Sequence, residues 1–181
     1  MIPPLFRRPS RSIATLYGAI VAQARDARFY QAYGVPDTVL GRFDLIVLHM
    51  ALVLRRLREG NAALAQAVFD EFCRDMDHNL REMGISDQAV PRQMRRVGEA
   101  FYGRAQAYDA ALDAQGEGAL AEALARNVYA EAVEPDIAAA RLAAYVRQAA
   151  AALDSQPLKE LARGVVRFPE PSVPAHAAES V

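Results

Sequence analysis

The sequence contains no tryptophan, one cysteine and one lysine in 181 residues. With Cys73 alone, no disulfide can form within the chain, and a reducing compartment fits best. Three scattered histidines and one thiol do not make a zinc site of the usual spacing. Long apolar runs are missing too. The longest strongly apolar stretch, Leu45 to Leu54, is interrupted by His49 and reaches about half of the ~20 residues a membrane-spanning helix needs. The basic start, Met1 to Ser12, lacks the apolar centre of a secretory signal. A cytoplasmic protein, or one peripheral to a membrane, is expected. No phosphate-cradling glycine loop, G-x-S-x-G elbow or H-E-x-x-H helix is present, which lowers the case for the common chemistries. Nor is the chain a polyelectrolyte, with a formal net charge of −1.

What is present is alanine, leucine and arginine in helical periodicity. Hydrophobic residues make up 52% of the chain, and its length suits one domain plus short tails. A domain of this size buries roughly 70% of the surface of its unfolded chain, so it needs no metal or disulfide to fold. Charge is uneven: residues 1–60 carry a net +5 and the remainder −6.

The pattern predicts an all-α, single-domain bundle of about six to seven helices. Residues 1–11 read as a flexible basic arm, 12–168 as the helical domain and 169–181 as a disordered proline-rich tail. Ser10 or Ser12 caps a first helix over 12–25, and a turn of helix follows around Phe29 to Tyr33. Gly34-Val35-Pro36-Asp37 breaks the pattern. A helix over 38–58 then carries LIVLHMALVL, nearly all apolar and therefore central in the bundle. Its last turn holds Arg55, Arg56 and Arg58, where cations suit the helix dipole. Asn61 caps a third long helix with Leu64, Val68, Phe72, Met76 and Leu80 in one stripe, closed by Gly84. Pro91 starts the next, to about 113. A shorter helix carries Leu120, Leu124 and Val128. Pro135 opens another, and Asp154 or Ser155 caps a last one ending at Gly164.

Chemistry is sparse. Asp75, Asp77 and Asn79 imitate the start of a calcium loop, but its sixth and twelfth places hold Leu80 and Ser86, so no metal is expected. His49 is either a hydrogen-bonded core histidine or a cofactor or catalytic group in a bundle cavity. Cys73, beside Phe72, reads as a packing residue. More informative is a basic and aromatic cluster: Arg92, Arg95, Arg96, Tyr102 and Arg104 on one helix, near Asp75, Asp77 and Glu82 of the preceding one. These residue types are enriched in protein interfaces, which makes this set the candidate partner surface. In the arm, Leu5 and Phe6 with Arg7, Arg8 and Arg11 are candidates for contact with an anionic membrane.

Several stretches together resemble the ubiquinol–cytochrome c chaperone family: GVPDT–GRFD (34–44), DMD–NLREMG (75–84) and FYGR (101–104), within roughly residues 12–150. The resemblance implies a helical chaperone, not an enzyme, of the shorter bacterial type. It would hold newly made cytochrome b, or its nascent chain, while the reductase is assembled. A ribosome and a small partner subunit are the further partners it suggests. No cofactor, DNA or small-molecule substrate is expected, and the family supplies no catalytic residue to carry over. Two other readings stand beside it: a ribosome- or RNA-associated helical factor using the arginine cluster, and a small helical enzyme using His49.

Overall fold

The computed structural model describes residues 10–114, 116, 118–130 and 135–172 of the chain. They form α1 (Arg11–Ala24), α2 (Ala27–Gln31), α3 (Val39–Arg58), α4 (Ala62–Glu82), α5 (Val90–Asp113), α6 (Gly118–Asn127), α7 (Pro135–Ser155) and α8 (Leu158–Ala162). No strand occurs among the described residues, and the domain is all-α as expected. Eight helices occur among the described residues, with the expected short pieces α2 and α8 included.

Local chemistry explains most boundaries. Ser10, Asp26, Thr38 and Asn61 each accept a backbone N–H in the first turn of α1, α2, α3 and α4. Gly34 and Gly84 adopt positive φ, of 67° and 81°, and release the chain from α2 and α4. One boundary differs from expectation. Neither Asp154 nor Ser155 caps α8, because α7 continues through Ser155. The Ser155 hydroxyl donates back to Ala151 O, and Pro157 makes the turn without a side-chain cap.

α3 packs against α1, α4, α5 and α7 and buries every residue from Asp44 to Val53. Its terminal arginines do more than complement a dipole. Arg55 pairs with Asp113 at 2.6 Å and Arg58 pairs with Asp109, both on α5. Arg56 donates to the carbonyls of Leu153 and Gln156 at the end of α7, at 2.9 and 3.1 Å. These bonds satisfy carbonyls that a helix end leaves without partners.

The chain then returns across α1 and α2 as an extended strap. Buried Gln156 accepts from Arg167 N at 3.1 Å and donates to Val165 O at 3.0 Å. Further along, Gln23 donates to Pro169 O, Arg28 pairs with Glu170, and Ser172 N donates to the Tyr33 hydroxyl. The expected tail boundary at Pro169 therefore falls later, since Pro169 to Ser172 are held by side chains from α1 and α2 and by Tyr33. The rest of the expected tail, 173–181, lies outside the described residues.

Gly41 explains part of the 34–44 motif. A Cβ there would sit 2.0 Å from the carbonyl oxygen of Pro36, while Thr38 Oγ1 accepts the Gly41 N–H at 3.1 Å. Only glycine lets the loop fold this tightly onto α3. Gly41→Ala is expected to lose about 1–3 kcal/mol in urea unfolding, the usual scale of overpacking. An unchanged midpoint would show that the contact relaxes freely.

Candidate functional site

The stripe on α4 begins as core and ends as surface. Ala65, Val68 and Phe72 are buried, but no residue of the helix beyond Phe72 is. On α5 the same happens between Val90 and Phe101. The reason is the side chains available. Phe69, Phe72, Phe101 and Tyr102 bridge the middle of the α4–α5 pair, with ring centroids 5.0–6.0 Å apart. Toward the α4–α5 turn, smaller or unbranched residues face each other: Met76 and Leu80 against Val97 and Ala100. They leave a groove of about 720 Å³.

α3 forms the groove's third wall. Val39, Phe43 and Ile46, at i, i+4 and i+7, make a second apolar stripe on a helix whose other faces are core. Its lips are unusually bare: Val39 is 79% exposed, Leu40 51% and, across the groove, Met83 62%. Contiguous apolar surface on a folded domain, rimmed by charge, marks an interaction site. Behind Phe43 lies a buried charge pair. Arg104 Nε sits 2.9 Å from Asp44 Oδ1, and its guanidinium lies over the Phe43 ring, 5.9 Å from the centroid. The N–H points off the line to the carboxylate, so this is an ion pair without an aligned hydrogen bond. Burial raises the Asp44 carboxyl to about 6 even though Arg104 opposes the shift.

The expected partner residues separate into three roles. Arg92, Arg95 and Arg96 are exposed and pair with no acid among the described residues, and Arg96 lines the groove. Tyr102, 56% exposed, packs its ring on Phe69 beyond the groove. Arg104 turns inward to Asp44 instead of joining that surface. Two of the acids have partners within the fold. Asp75 accepts from the Tyr17 hydroxyl at 2.7 Å, Asp77 pairs with Arg81, and Glu82, on the rim, lies 3.2 Å from His78. Of the expected membrane-contact residues, Leu5, Phe6, Arg7 and Arg8 lie outside the described residues, and Arg11 begins α1. Of the groove residues, Val39 and Leu40 were not singled out in the sequence, Phe43 and Met83 stood there only inside the motifs GRFD and NLREMG, and Ile46 only in the apolar run. The Val39–Phe43–Ile46 spacing was the signal available for three of them.

His49 is enclosed. Its Nδ1–H donates to Leu45 O at 2.8 Å, which leaves Nε2 to accept from the Tyr145 hydroxyl at 3.0 Å. Gln23 in turn donates to that hydroxyl. Phe29 and Phe168 pack edge-on to the imidazole, at 5.3 and 5.2 Å between centroids. Burial lowers the imidazole to about 4, so it is neutral near pH 7. Both nitrogens are committed to hydrogen bonds inside the core. Burial, with Asp70 nearby, pushes the Cys73 thiol up to about 11, which opposes thiolate formation. Among the described residues no cluster of His, Cys, Asp or Glu is placed to hold a metal ion. No described helix is long and apolar enough to cross a membrane.

Fold and site together define a class, an all-α bundle with an open apolar groove among its described residues. The chain belongs to the ubiquinol–cytochrome C chaperone family, which it matches over residues 31–168. It is also similar to a solved structure, the Cbp3 homolog from Brucella abortus. The two share 44% identity over 94% of this chain and 97% of that one, with a TM-score of 0.79. No curated protein matches the sequence.

Proposed function

We propose that this protein is a non-enzymatic assembly chaperone of the ubiquinol–cytochrome c reductase, and that its groove shelters an apolar segment of newly made cytochrome b. The observation that carries the reading is the groove between α3, α4 and α5, with Val39, Leu40 and Met83 bare at its lips. A helix laid in such a groove is a common mode of peptide recognition. Family membership supports the choice of complex, and the enclosed His49 gives no support to a catalytic alternative.

Leu40→Asp combined with Met83→Asp places charge on both lips without touching the core. The double variant is expected to retain its helical circular dichroism and melting temperature. It should lose capture of cytochrome b in a crosslinked pull-down and lower the haem b of the reductase in cells. Undiminished capture by a folded double variant would remove the groove from the mechanism. A deletion strain with a fully assembled reductase would remove the reading altogether. Arg92, Arg95 and Arg96, which pair with no acid among the described residues, favour a second reading, contact with a ribosome or RNA, whose mark would be binding that weakens steeply with salt.

A further inference from the structure

The charge around the groove has one dominant sign. Arg25, at the end of α1, and Arg96, on α5, both line it, and neither pairs with an acid among the described residues. Arg92 and Arg95 extend this positive edge along α5. Glu99, three residues after Arg96 and four after Arg95, forms no ion pair with either. Arg42 also lines the groove but is taken by Asp37 at 2.8 Å. The lining holds one acid against these cations, Glu82, and His78, 3.2 Å away, offsets it only when protonated. Of the other acids of α4, Asp77 pairs with Arg81 and Glu71 with Arg74, while Asp75 accepts from the Tyr17 hydroxyl and Asp70 from the Gln66 amide. An incoming segment therefore meets an apolar floor edged by more guanidiniums than carboxylates, two of them without an acid partner among the described residues.

We infer that the groove selects an apolar helical segment flanked by aspartate or glutamate, and disfavours one flanked by lysine or arginine. The inference rests on the reading of the groove as the client site. Charges at the rim of an interface act chiefly on partner choice, because like charges brought together are penalised while opposite ones steer and align. For a membrane protein the consequence is directional. Basic residues gather at the cytoplasmic ends of membrane spans. A groove with a positive edge repels those ends and accepts the opposite ends, or spans bordered by acids.

The test uses the full chain and two fluorescent peptides. They share one amphipathic apolar helix and differ only in a flanking pair, two glutamates or two lysines. The full chain is expected to bind the acidic peptide about tenfold more tightly in low salt, with the preference shrinking as salt screens the rim. Arg25→Glu with Arg96→Glu should reverse the order while the melting temperature holds. Equal affinity for both peptides, or preference for the lysine peptide, overturns the charge selection but leaves the groove as an apolar site. Binding of neither peptide overturns the groove reading as well. Vesicles of phosphatidylglycerol and phosphatidylcholine form a third arm. Retention on vesicles that Leu40→Asp abolishes, with no peptide bound, would make the occupant a lipid surface and refute the proposal.

Discussion

Leu48→Asp is expected to leave the chain largely unfolded at 25 °C. Leu48 is fully buried on α3, the helix that touches α1, α4, α5 and α7. Removing a buried leucine side chain costs about 2–5 kcal/mol by itself. The carboxylate adds several kcal/mol more, because it must lose its hydration or take up a proton in an apolar site. Together these approach the ~5–15 kcal/mol by which whole domains are stable. Far-UV circular dichroism and gel filtration would read the outcome. Leu48→Met, similar in volume, should cost less than about 1.5 kcal/mol and keep client binding. A folded, monodisperse aspartate variant would show that α3 can rotate or hydrate without losing the bundle.

Arg104→Met carries the second large effect, and its size should depend on pH. At pH 7 the substitution strands the Asp44 carboxylate, which is 2% exposed, without its cation. Breaking a buried pair from one side costs about 3–5 kcal/mol. At pH 5 Asp44 takes up a proton and the loss should shrink. The unsubstituted protein has a related dependence. Asp44 is raised from about 3.8 to about 6 in the folded chain, so folding favours its protonated form. Its contribution to stability is fully present below about pH 4 and is lost as pH rises through about 6. Asp44→Asn removes that slope. The stability difference between the two proteins should therefore change by on the order of 2–3 kcal/mol from pH 4 to pH 7. Urea titrations at four or five pH values would measure it, and parallel curves would place Asp44 ionised throughout. Because Arg104 lies over Phe43, the groove wall should loosen with the pair. Arg104→Met should accordingly weaken client capture even at pH 5, where the fold recovers.

The helices were legible because their signals are local. Ser10, Thr38, Asn61 and Gly84 act within one turn of the residues they terminate, and the expected helix ends fall within a few residues of those observed. Apart from one helix end, the failures are contacts between distant segments. Ser155 looks like a cap in isolation, yet α7 runs through it. Pro169 to Ser172 look like a free tail, yet Gln23, Arg28 and Tyr33 hold them. Arg104 belongs by spacing to the arginine cluster of α5. Its partner, Asp44, lies sixty residues earlier, and only the packing of α3 against α5 brings them together.

The amino-acid sequence by itself determined that this is an all-helical domain with a buried α3, no disulfide and a chaperone-family pattern. Capping, periodicity and composition are properties of neighbouring residues and need no tertiary contact. Only the tertiary structure decided which apolar residues are core and which are site. The α4 stripe from Leu64 to Leu80 has one period throughout. It divides into core and groove because aromatic rings fill the α4–α5 interface around Phe72 and nothing of that size fills it near Met76. The sign of the rim was decided in the same way. Acids and arginines are nearly balanced in the sequence, but in the fold Asp77 pairs with Arg81 and Glu71 with Arg74, while Arg25 and Arg96 pair with no acid among the described residues.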